Sequence, residues 1–238
     1  MARRMKGKLY LIPCPITEGK DSSVIPVSTA SSALKCKVFI VENVKHARRF
    51  LKALDSDIDI DSLQFYSMGK HAEPHEMADA IQHLNTGLDV GIMSDAGCPA
   101  VADPGWEAVH MAHEQGAEVH PLVGPSSILL TLMASGLNGQ NFTFHGYLPI
   151  DKKERISALR NMISETSRSG ITHLFMDTPF RNEKLFQDVL SSANADMRLC
   201  LAQDLTGPYQ WIKTMSISDW KKKKPIFKKI PMMMALGH

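Results

Sequence analysis

The sequence predicts an α/β protein of two domains, the first with a parallel, doubly wound sheet and the second with a mixed sheet. In the first half of the chain, short apolar runs with strand character alternate with helical segments. This order is typical of parallel sheets with helices on both faces. In the second half the predicted strands follow one another more closely, which favours some antiparallel neighbours. The expected fold class is therefore α/β throughout.

Five strands are predicted in the first half, and helices are predicted between them. The strands are Lys8–Pro13, Val38–Glu42, Leu63–Met68, Asp89–Ser94 and Glu118–Val123. The clearest helix runs over Glu76–Gly87, because its apolar residues recur at three- and four-residue spacing and its last residue, a glycine, suits a C-cap. We place the domain boundary so that residues 1–118 form the first domain.

The second domain, residues 119–238, begins its helical part after two serines that suit the start of a helix. Two further helices are predicted over Lys152–Ser164 and Asn182–Ser191. The predicted strands are residues 142–149, 172–177, 199–205, 209–220 and 230–236. The last strand contains three consecutive methionines, which are expected to fill the core rather than to contact a cofactor.

Composition excludes several classes of protein. The chain has 238 residues, 44% of them hydrophobic, and a net charge of +2, too small by itself to indicate nucleic-acid binding. No apolar run approaches the ~18 residues that cross a bilayer. The basic start is followed by an apolar run too short for a signal peptide, so we expect a cytoplasmic protein without membrane contact. The four cysteines form no CxxC pair, and no metal is expected.

Two loops rich in glycine, proline and small polar residues each follow a predicted strand. They are SDAGCPAVADPG over Ser94–Gly105 and PLVGPSS over Pro121–Ser127. Loops at the carboxyl ends of strands are where α/β proteins bind ligands, so we predict a small-molecule cleft lined mainly by main chain. Asp95 and Asp103 are the acidic candidates, with turn capping as the alternative role. The chain contains neither a GxGxxG turn nor a GxSxG elbow.

Together with FTFHGYLP over residues 142–149, the two loops resemble the tetrapyrrole methylase superfamily. The most similar branch methylates the 2′-oxygen of a cytidine in 16S ribosomal RNA. The similarity runs in order from KLYLIPCPI through VFIVEN and MDTPFRNEKL to AQDLT, nearly the whole chain. The resemblance implies S-adenosylmethionine as methyl donor, a homodimer, and a donor site in the cleft between the two domains. Members of that branch usually carry a further small domain at the C-terminus, which we do not expect in this chain.

The resemblance assigns donor binding to positions in both domains. These positions are Pro13, Asp95, Ala96, Gly97, Pro99, Gly124, Ser126, Ser127, Leu148, Leu205 and Thr206. Because S-adenosylmethionine carries no phosphate, it needs backbone hydrogen bonds, close approach at glycines and apolar walls rather than a pyrophosphate-binding helix start. The first domain would carry the methyl-acceptor side and part of the donor site. The second would supply donor and dimer contacts.

The acceptor-side residues depart from the branch pattern. Asn43 stands where the branch has an acid, and Lys45 stands where it has arginine. The segment Met176–Arg181 lacks the aromatic residue and the histidine of the branch motif but keeps Arg181, whose guanidinium suits phosphate or carboxylate. We assign substrate binding to Lys45, Arg181 and Asp204, with structural ion pairing as the alternative role of Arg181. No catalytic residue is assigned.

Three functions stay open at this point. The first is methylation of a ribosomal RNA ribose, for which the basic runs Lys45–Lys52 and Lys221–Lys229 would contact phosphates. The second is methylation of a tetrapyrrole or corrinoid, although IPCPI and SDAGCP replace the glycine-rich loops of those enzymes. The third is a noncatalytic donor-binding or RNA-binding module, which the changed acceptor-side residues favour.

Overall fold

The computed structural model of the protein describes residues 6–17, 22–69, 72–73, 75–223 and 225–238. The chain divides into two compact units, Met1–Ser126 and Ser127–His238. The predicted boundary after residue 118 is corrected by this division. The strand that begins at Glu118 pairs with the first strand of the chain, so it belongs to the first unit.

The first unit contains a five-stranded sheet in which every pairing is parallel. Its strands are β1 (Lys8–Leu11), β2 (Val38–Val41), β3 (Gln64–Ser67), β4 (Val90–Met93) and β5 (Glu118–Pro121). Their order is β3-β2-β4-β1-β5. The helices are α1 (Val27–Ala33), α2 (Val44–Leu54), α3 (Glu76–Gln82) and α4 (Trp106–Glu114). The predicted parallel sheet is confirmed.

Helices cover both faces of this sheet, because alternate residues of a buried strand point to opposite sides. In β2, Phe39 and Val41 belong to one core cluster together with residues of α1 and α2. Val38 and Ile40 belong to the other, together with residues of α3 and α4. The predicted C-cap is confirmed as well: a short 3₁₀ turn continues α3, and Gly87 ends it with φ of 88°.

The second unit contains a mixed five-stranded sheet, as predicted. Its strands are β6 (Phe142–Tyr147), β7 (Thr172–Asp177), β8 (Arg198–Gln203), β9 (Trp211–Ser216) and β10 (Met232–Gly237). In the order β6-β7-β10-β8-β9, only the β6–β7 pair is parallel. The helices are α5 (Ser127–Ser135), α6 (Lys152–Ser169), α7 (Asn182–Ser192) and α8 (Ile217–Trp220).

The core of the second unit is built around its central strand. All residues of β10 are buried, including Met232, Met233 and Met234, so the three methionines fill the core as predicted. Helix α6 extends beyond the predicted Ser164, since Thr166 continues its buried face and Gly170 ends it with φ of 66°. Among the described helices, none has the length and apolar character needed to cross a membrane.

The strand directions fix where loops can form a site. In the first unit all strands are parallel, so every strand has its carboxyl end at one edge, the carboxyl edge of unit 1. In the second unit β7 and β8 are both antiparallel to β10, and β6 is parallel to β7. The carboxyl ends of β6, β7 and β8 therefore share the carboxyl edge of unit 2.

Candidate functional site

At the carboxyl edge of unit 1, the loops after β1 and β4 are joined by main-chain hydrogen bonds. The N–H of Cys14 donates to the Gly97 carbonyl at 2.8 Å, and the N–H of Gly97 donates to the Cys14 carbonyl at 3.0 Å. Gly97 has a φ of 71°, a conformation that side chains make unfavourable. Glycine at this position is therefore what allows the two loops to pair.

The loop after β5 packs against the loop after β1. A Cβ atom at Gly124 would lie 2.4 Å from the Cβ of Pro13, so any side chain there would collide with the proline ring. The loop is held further by Thr29, whose hydroxyl donates to the Val123 carbonyl at 2.6 Å, and by a Cys98 Sγ contact of 3.6 Å to the Pro125 carbonyl. Pro13, Gly97 and Gly124, which the sequence placed in one site, thus lie in connected loops.

The remaining predicted positions of unit 1 lie on the same loops. Pro99 is buried and Ala96 is exposed, while Ser126, the last residue of the unit, is partly exposed. The Ser94 hydroxyl donates to the Ala96 carbonyl at 3.1 Å, which fixes the turn after β4. Ala100 has a positive φ of 64° in the same loop, a strained value for a residue with a side chain.

Several acidic groups and one imidazole meet at this edge. The N–H of Asp95 donates to Glu42 Oε2 at 3.1 Å, and Asp95 Oδ1 lies 2.9 Å from His46 Nδ1. Burial raises the pKa of the Asp103 carboxyl from 3.8 to about 6, and the charge of Glu42 adds to the shift. The contact of His46 with Asp95 was not predicted from the sequence. The position of His46 in the first turn of α2, directly after β2, could have indicated that it lies at this edge.

Asn43, which stands where the similar branch has an acid, has a structural role at the start of α2. The Asn43 side chain caps the helix by accepting the N–H groups of Lys45 at 3.0 Å and His46 at 3.3 Å. Asparagine and aspartate cap helices about equally well, so the change from an acid to Asn43 removes a charge and keeps the cap. The predicted substrate residue Lys45 is exposed in the first turn.

At the carboxyl edge of unit 2, a buried ion pair holds the residues that follow β6. The guanidinium of Arg155 donates to the carbonyls of Pro149 at 3.0 Å and Ile150 at 2.8 Å, and to Asp188 at 2.8 Å. Leu148, a predicted donor contact, precedes this anchored turn and is itself buried. The pair was missed from the sequence, because its two residues lie in different helices and form no motif.

The loop after β8 is a strained turn. Asp204 and Thr206 have φ values of 51° and 68°. The Asp204 carboxylate accepts the N–H of Tyr209 at 2.8 Å, and the N–H of Thr206 donates to Gln210 at 2.8 Å. Leu205 is buried, whereas the buried Thr206 hydroxyl has no hydrogen-bond partner within the described parts of the chain. The Thr206 hydroxyl is thus a buried polar group that the described residues leave unsatisfied.

The loop after β7 contains an ion pair between Asp177 and Arg181. Asp177 is buried, and it also accepts the N–H of Thr178 at 2.7 Å. Structural ion pairing, the alternative role of Arg181, is thus present. The Nη1 atom of Arg181 is buried and has no hydrogen-bond partner in the ranges that the structure describes, while the side chain as a whole is 25% exposed.

The structure therefore groups the predicted residues into two sets, one in each unit. The carboxyl edge of unit 1 brings together Pro13, Lys45, Asp95, Ala96, Gly97, Pro99, Gly124 and Ser126. The carboxyl edge of unit 2 brings together Leu148, Arg181, Asp204, Leu205 and Thr206. Ser127 is the first residue of α5. The described residues include no cluster of three or more metal-ligating side chains that could hold an ion.

No protein-family profile matches the chain. Curated relatives named ribosomal RNA small subunit methyltransferase I do match it. The protein from Vibrio cholerae is 28% identical over 89% of this chain and 69% of its own length. The protein from Halalkalibacterium halodurans is 30% identical over 86% of this chain and 66% of its own. The protein from Escherichia coli O157:H7 is 24% identical and aligns with 100% of this chain and 80% of its own.

A solved structure shares the fold. The crystal structure of the methyltransferase CobJ matches with a TM-score of 0.63, covering 98% of this chain and 94% of that chain at 14% sequence identity. Similarity at this level of identity concerns the arrangement of helices and strands. It agrees with the predicted fold class of two α/β units, one with a parallel sheet and one with a mixed sheet.

Proposed function

We propose, since the chain belongs to the tetrapyrrole methylase superfamily, that it is an S-adenosylmethionine-dependent methyltransferase acting on a ribose 2′-oxygen of ribosomal RNA. The observation that carries the proposal is the extent of the alignments. The three relatives described above, all named as ribosomal RNA methyltransferases, match 86% to 100% of the chain, and the alignment with the Escherichia coli relative includes both loops.

The residues at the carboxyl edge of unit 1 fit the proposed donor. S-adenosylmethionine carries positive charge on its sulfonium and its amino group. The carboxylates of Glu42, Asp95 and Asp103 lie close enough together for the first two to raise the pKa of the third. A bound cation would relieve that repulsion. Gly97 allows the loop after β4 to pair with the loop after β1, and Gly124 allows the loop after β5 to pack on Pro13, so the three loops lie together at this edge.

The residues at the carboxyl edge of unit 2 fit the adenosine part of the donor. Leu148 and Leu205 supply apolar surface, and the Thr206 hydroxyl is a buried polar group that a ligand would satisfy. The Arg155–Asp188 ion pair holds the turn after Leu148 in place. A preformed wall of this kind lowers the entropy lost on binding.

The chain's own groups would prepare the acceptor. When bound, the donor would supply a sulfonium methyl group, whose carbon an oxygen nucleophile would attack in line while the C–S bond breaks and the thioether leaves. A ribose hydroxyl must give up its proton for this, and Glu42, Asp95, Asp103 and His46 are proton-accepting groups at the carboxyl edge of unit 1. Most of the rate enhancement would come from positioning and from exclusion of water, which few catalytic side chains can provide.

RNA recognition is proposed for two basic residues. Lys45 is exposed in the first turn of α2, and the Arg181 side chain is 25% exposed beside its ion pair with Asp177. Both suit phosphate contacts. We propose that Asp204 contributes to substrate binding indirectly, by fixing the turn after β8. Its carboxylate already accepts the N–H of Tyr209 in that turn.

We further propose a homodimer that works in the cytoplasm, where its RNA substrate is made. Helix α5 exposes Leu129 to 53% and Met133 to 78%, although its residues are mostly apolar. An apolar helix surface of this kind is typical of a subunit contact. Size-exclusion chromatography with light scattering checks the dimer: the expected mass is twice 26.4 kDa.

The test of function begins with binding of S-adenosylmethionine by calorimetry. The protein is then incubated with methyl-labelled donor and either small-subunit ribosomal RNA or a precorrin. We expect donor binding and label in the RNA, and label in the precorrin alone would refute the proposed acceptor. The variant Lys45→Ala/Arg181→Ala should lose RNA methylation and keep donor binding. Its matched control, Lys152→Ala/Arg168→Ala, removes an exposed lysine and arginine of α6 and should behave like wild type.

A further inference from the structure

Besides Tyr147 at the end of β6, three aromatic side chains are exposed at the carboxyl edge of unit 2, on the loops around β8 and β9 and after β7. Phe180 follows β7 and is 81% exposed, Tyr209 follows β8 and is 62% exposed, and Trp211 begins β9 and is 39% exposed. Strand β9 is antiparallel to β8, with Gln203 paired to Trp211, so its first residue lies at the same edge. Single exposed apolar residues are ordinary, whereas three aromatic rings at one sheet edge indicate a binding surface.

Lysines lie over two of these rings. The ammonium of Lys228 is 3.9 Å from the centroid of the Tyr209 ring, and that of Lys229 is 5.8 Å from the centroid of the Phe180 ring. Because the two lysines are consecutive, the two contacts belong to one surface. We call Phe180, Tyr209, Trp211, Lys228 and Lys229 the aromatic–lysine surface.

The segment that carries the lysines is fixed to the core. Phe227, directly before them, packs against Phe186 with ring centroids 5.3 Å apart. The Asn182 side chain donates to the Ile230 carbonyl at 3.3 Å, and the carbonyl of Pro231 accepts the N–H of the residue after β8 at 3.3 Å. The lysines are therefore presented in a defined place rather than on a free chain, which reduces the entropy lost when they bind a ligand.

The charge of this surface is positive. The sequence over residues 221–229 contains six lysines and no acidic residue, and of these lysines Lys224 lies outside the described residues. The acidic side chains nearby are already engaged: Asp177 pairs with Arg181, and Asp204 accepts the N–H of Tyr209. Within the described residues, neither Lys228 nor Lys229 forms an ion pair, so the surface combines exposed rings with two unpaired ammonium groups.

We propose that the aromatic–lysine surface binds an unpaired segment of RNA, with bases stacking on the rings and phosphates contacting the lysines. Exposed aromatic rings within a basic surface are how proteins bind single-stranded nucleic acid, since every base has a face that can stack. Duplex RNA hides those faces and offers only its phosphates. This proposal rests on the proposed function, of which it specifies the single-stranded character of the RNA substrate.

The test measures binding of a fluorescein-labelled twelve-nucleotide oligouridylate by anisotropy, beside a labelled RNA duplex of the same length. Stacking is worth ~1–3 kcal/mol per base, which corresponds to about a 5- to 100-fold change in affinity. Because Phe180→Ala/Tyr209→Ala removes two rings, it should weaken binding of the single strand by about 25-fold or more, and it should change duplex binding less than about twofold. Tyr209→Phe should retain affinity, and Ile226→Ala, at an 85% exposed residue without a ring, should bind like wild type.

The contribution of the lysines is measured separately, from the dependence of RNA affinity on salt concentration. Each phosphate contact on a single strand contributes a slope of about −0.7 to the dependence of log affinity on log salt, so Lys228→Ala/Lys229→Ala should reduce the slope by about 1.4. The matched control is Lys152→Ala/Lys153→Ala, a consecutive exposed pair at the start of α6, which should leave the slope unchanged. Circular dichroism and thermal unfolding check that each variant is folded.

Failure of this proposal and failure of the proposed function give different results. If Phe180→Ala/Tyr209→Ala binds the oligouridylate like wild type, or loses single-strand and duplex binding equally, base stacking at this surface is refuted. A change of molecular mass with unchanged RNA affinity would assign the surface to protein contact and would refute it too. If the predicted affinity changes are seen while wild type transfers no methyl group to RNA, the surface stands and the methyltransferase proposal fails.

Discussion

Replacing Gly124 by alanine should separate the two loops that form the proposed donor site of unit 1. The added Cβ would lie 2.4 Å from Pro13 Cβ and 2.8 Å from Pro13 Cγ, whereas carbon atoms in contact are ordinarily ~3.5–4.0 Å apart. Pro13 is buried and its ring is rigid, so the backbone of one loop has to move by about 1 Å.

The expected change in the free energy of unfolding follows from two opposing effects. Overpacking of this kind typically costs ~1–3 kcal/mol, and the smaller conformational entropy of unfolded alanine offsets ~0.4–1 kcal/mol of it. We therefore expect Gly124→Ala to lower the free energy of unfolding by about 1–2 kcal/mol. Because a displacement of ~1 Å in a binding site can reduce activity about 100-fold, methyl transfer should fall by about 10- to 100-fold.

Urea unfolding measures the loss of stability, calorimetry measures binding of S-adenosylmethionine, and incubation with methyl-labelled donor and ribosomal RNA measures methyl transfer. Gly139→Ala is the matched control, since its Cβ would meet only Leu132 Cγ at 3.9 Å, an ordinary contact. In Pro13→Gly/Gly124→Ala both close contacts are removed, and the nearest remaining Pro13 atom is Cα at 3.7 Å. The double variant should therefore be destabilised by less than the sum of its single changes.

Two results would show that this reasoning is wrong. One is a Gly124→Ala protein as stable as wild type with unchanged donor affinity, which would mean that the loops do not pack as described. The other is strict additivity of the Pro13→Gly and Gly124→Ala effects, which would mean that their loss of stability arises elsewhere.

Three further predictions concern single interactions. Because burial raises the pKa of Asp103 from 3.8 to about 6, the fold favours its neutral form and wild type loses stability as pH rises through that range. Asp103→Asn should therefore gain stability relative to wild type above pH 6, by about 1 kcal/mol after allowance for partial exposure, and no gain in urea unfolding at pH 7 would contradict this. Asp188→Ala should cost ~3–5 kcal/mol by leaving Arg155 buried and unpaired, and Arg155→Met/Asp188→Leu should cost less; equal losses would refute the ion-pair explanation. Asn43→Ala should lower stability by ~0.5–2 kcal/mol and Asn43→Asp should not, as thermal unfolding at matched pH would show.

The fold could be predicted from the sequence wherever the pattern was local. Alternation of strands and helices indicated the parallel sheet, and Gly87 indicated the end of α3. The domain boundary could not be predicted in the same way. The segment from Glu118 has strand character, but its pairing with β1 depends on residues more than a hundred positions away in the chain.

In the candidate site, too, the features with a local sequence pattern could be predicted and those that join distant elements could not. The loops around Gly97 and Gly124 were visible as clusters of glycine and proline, since close backbone approach requires those residues. The contact of His46 with Asp95 and the buried ion pair of Arg155 join distant elements and leave no motif. The aromatic–lysine surface was visible only as a lysine run, because ring exposure is a property of the folded chain.

The central claim is methyl transfer to a ribose of ribosomal RNA, and one measurement tests it most directly. Small-subunit ribosomal RNA is incubated with the protein and deuterium-labelled S-adenosylmethionine, digested to nucleosides and analysed by mass spectrometry. We expect a labelled nucleoside in which the added methyl group stays with the sugar fragment. Label on a base fragment, or no labelled nucleoside despite demonstrated donor binding, would contradict it.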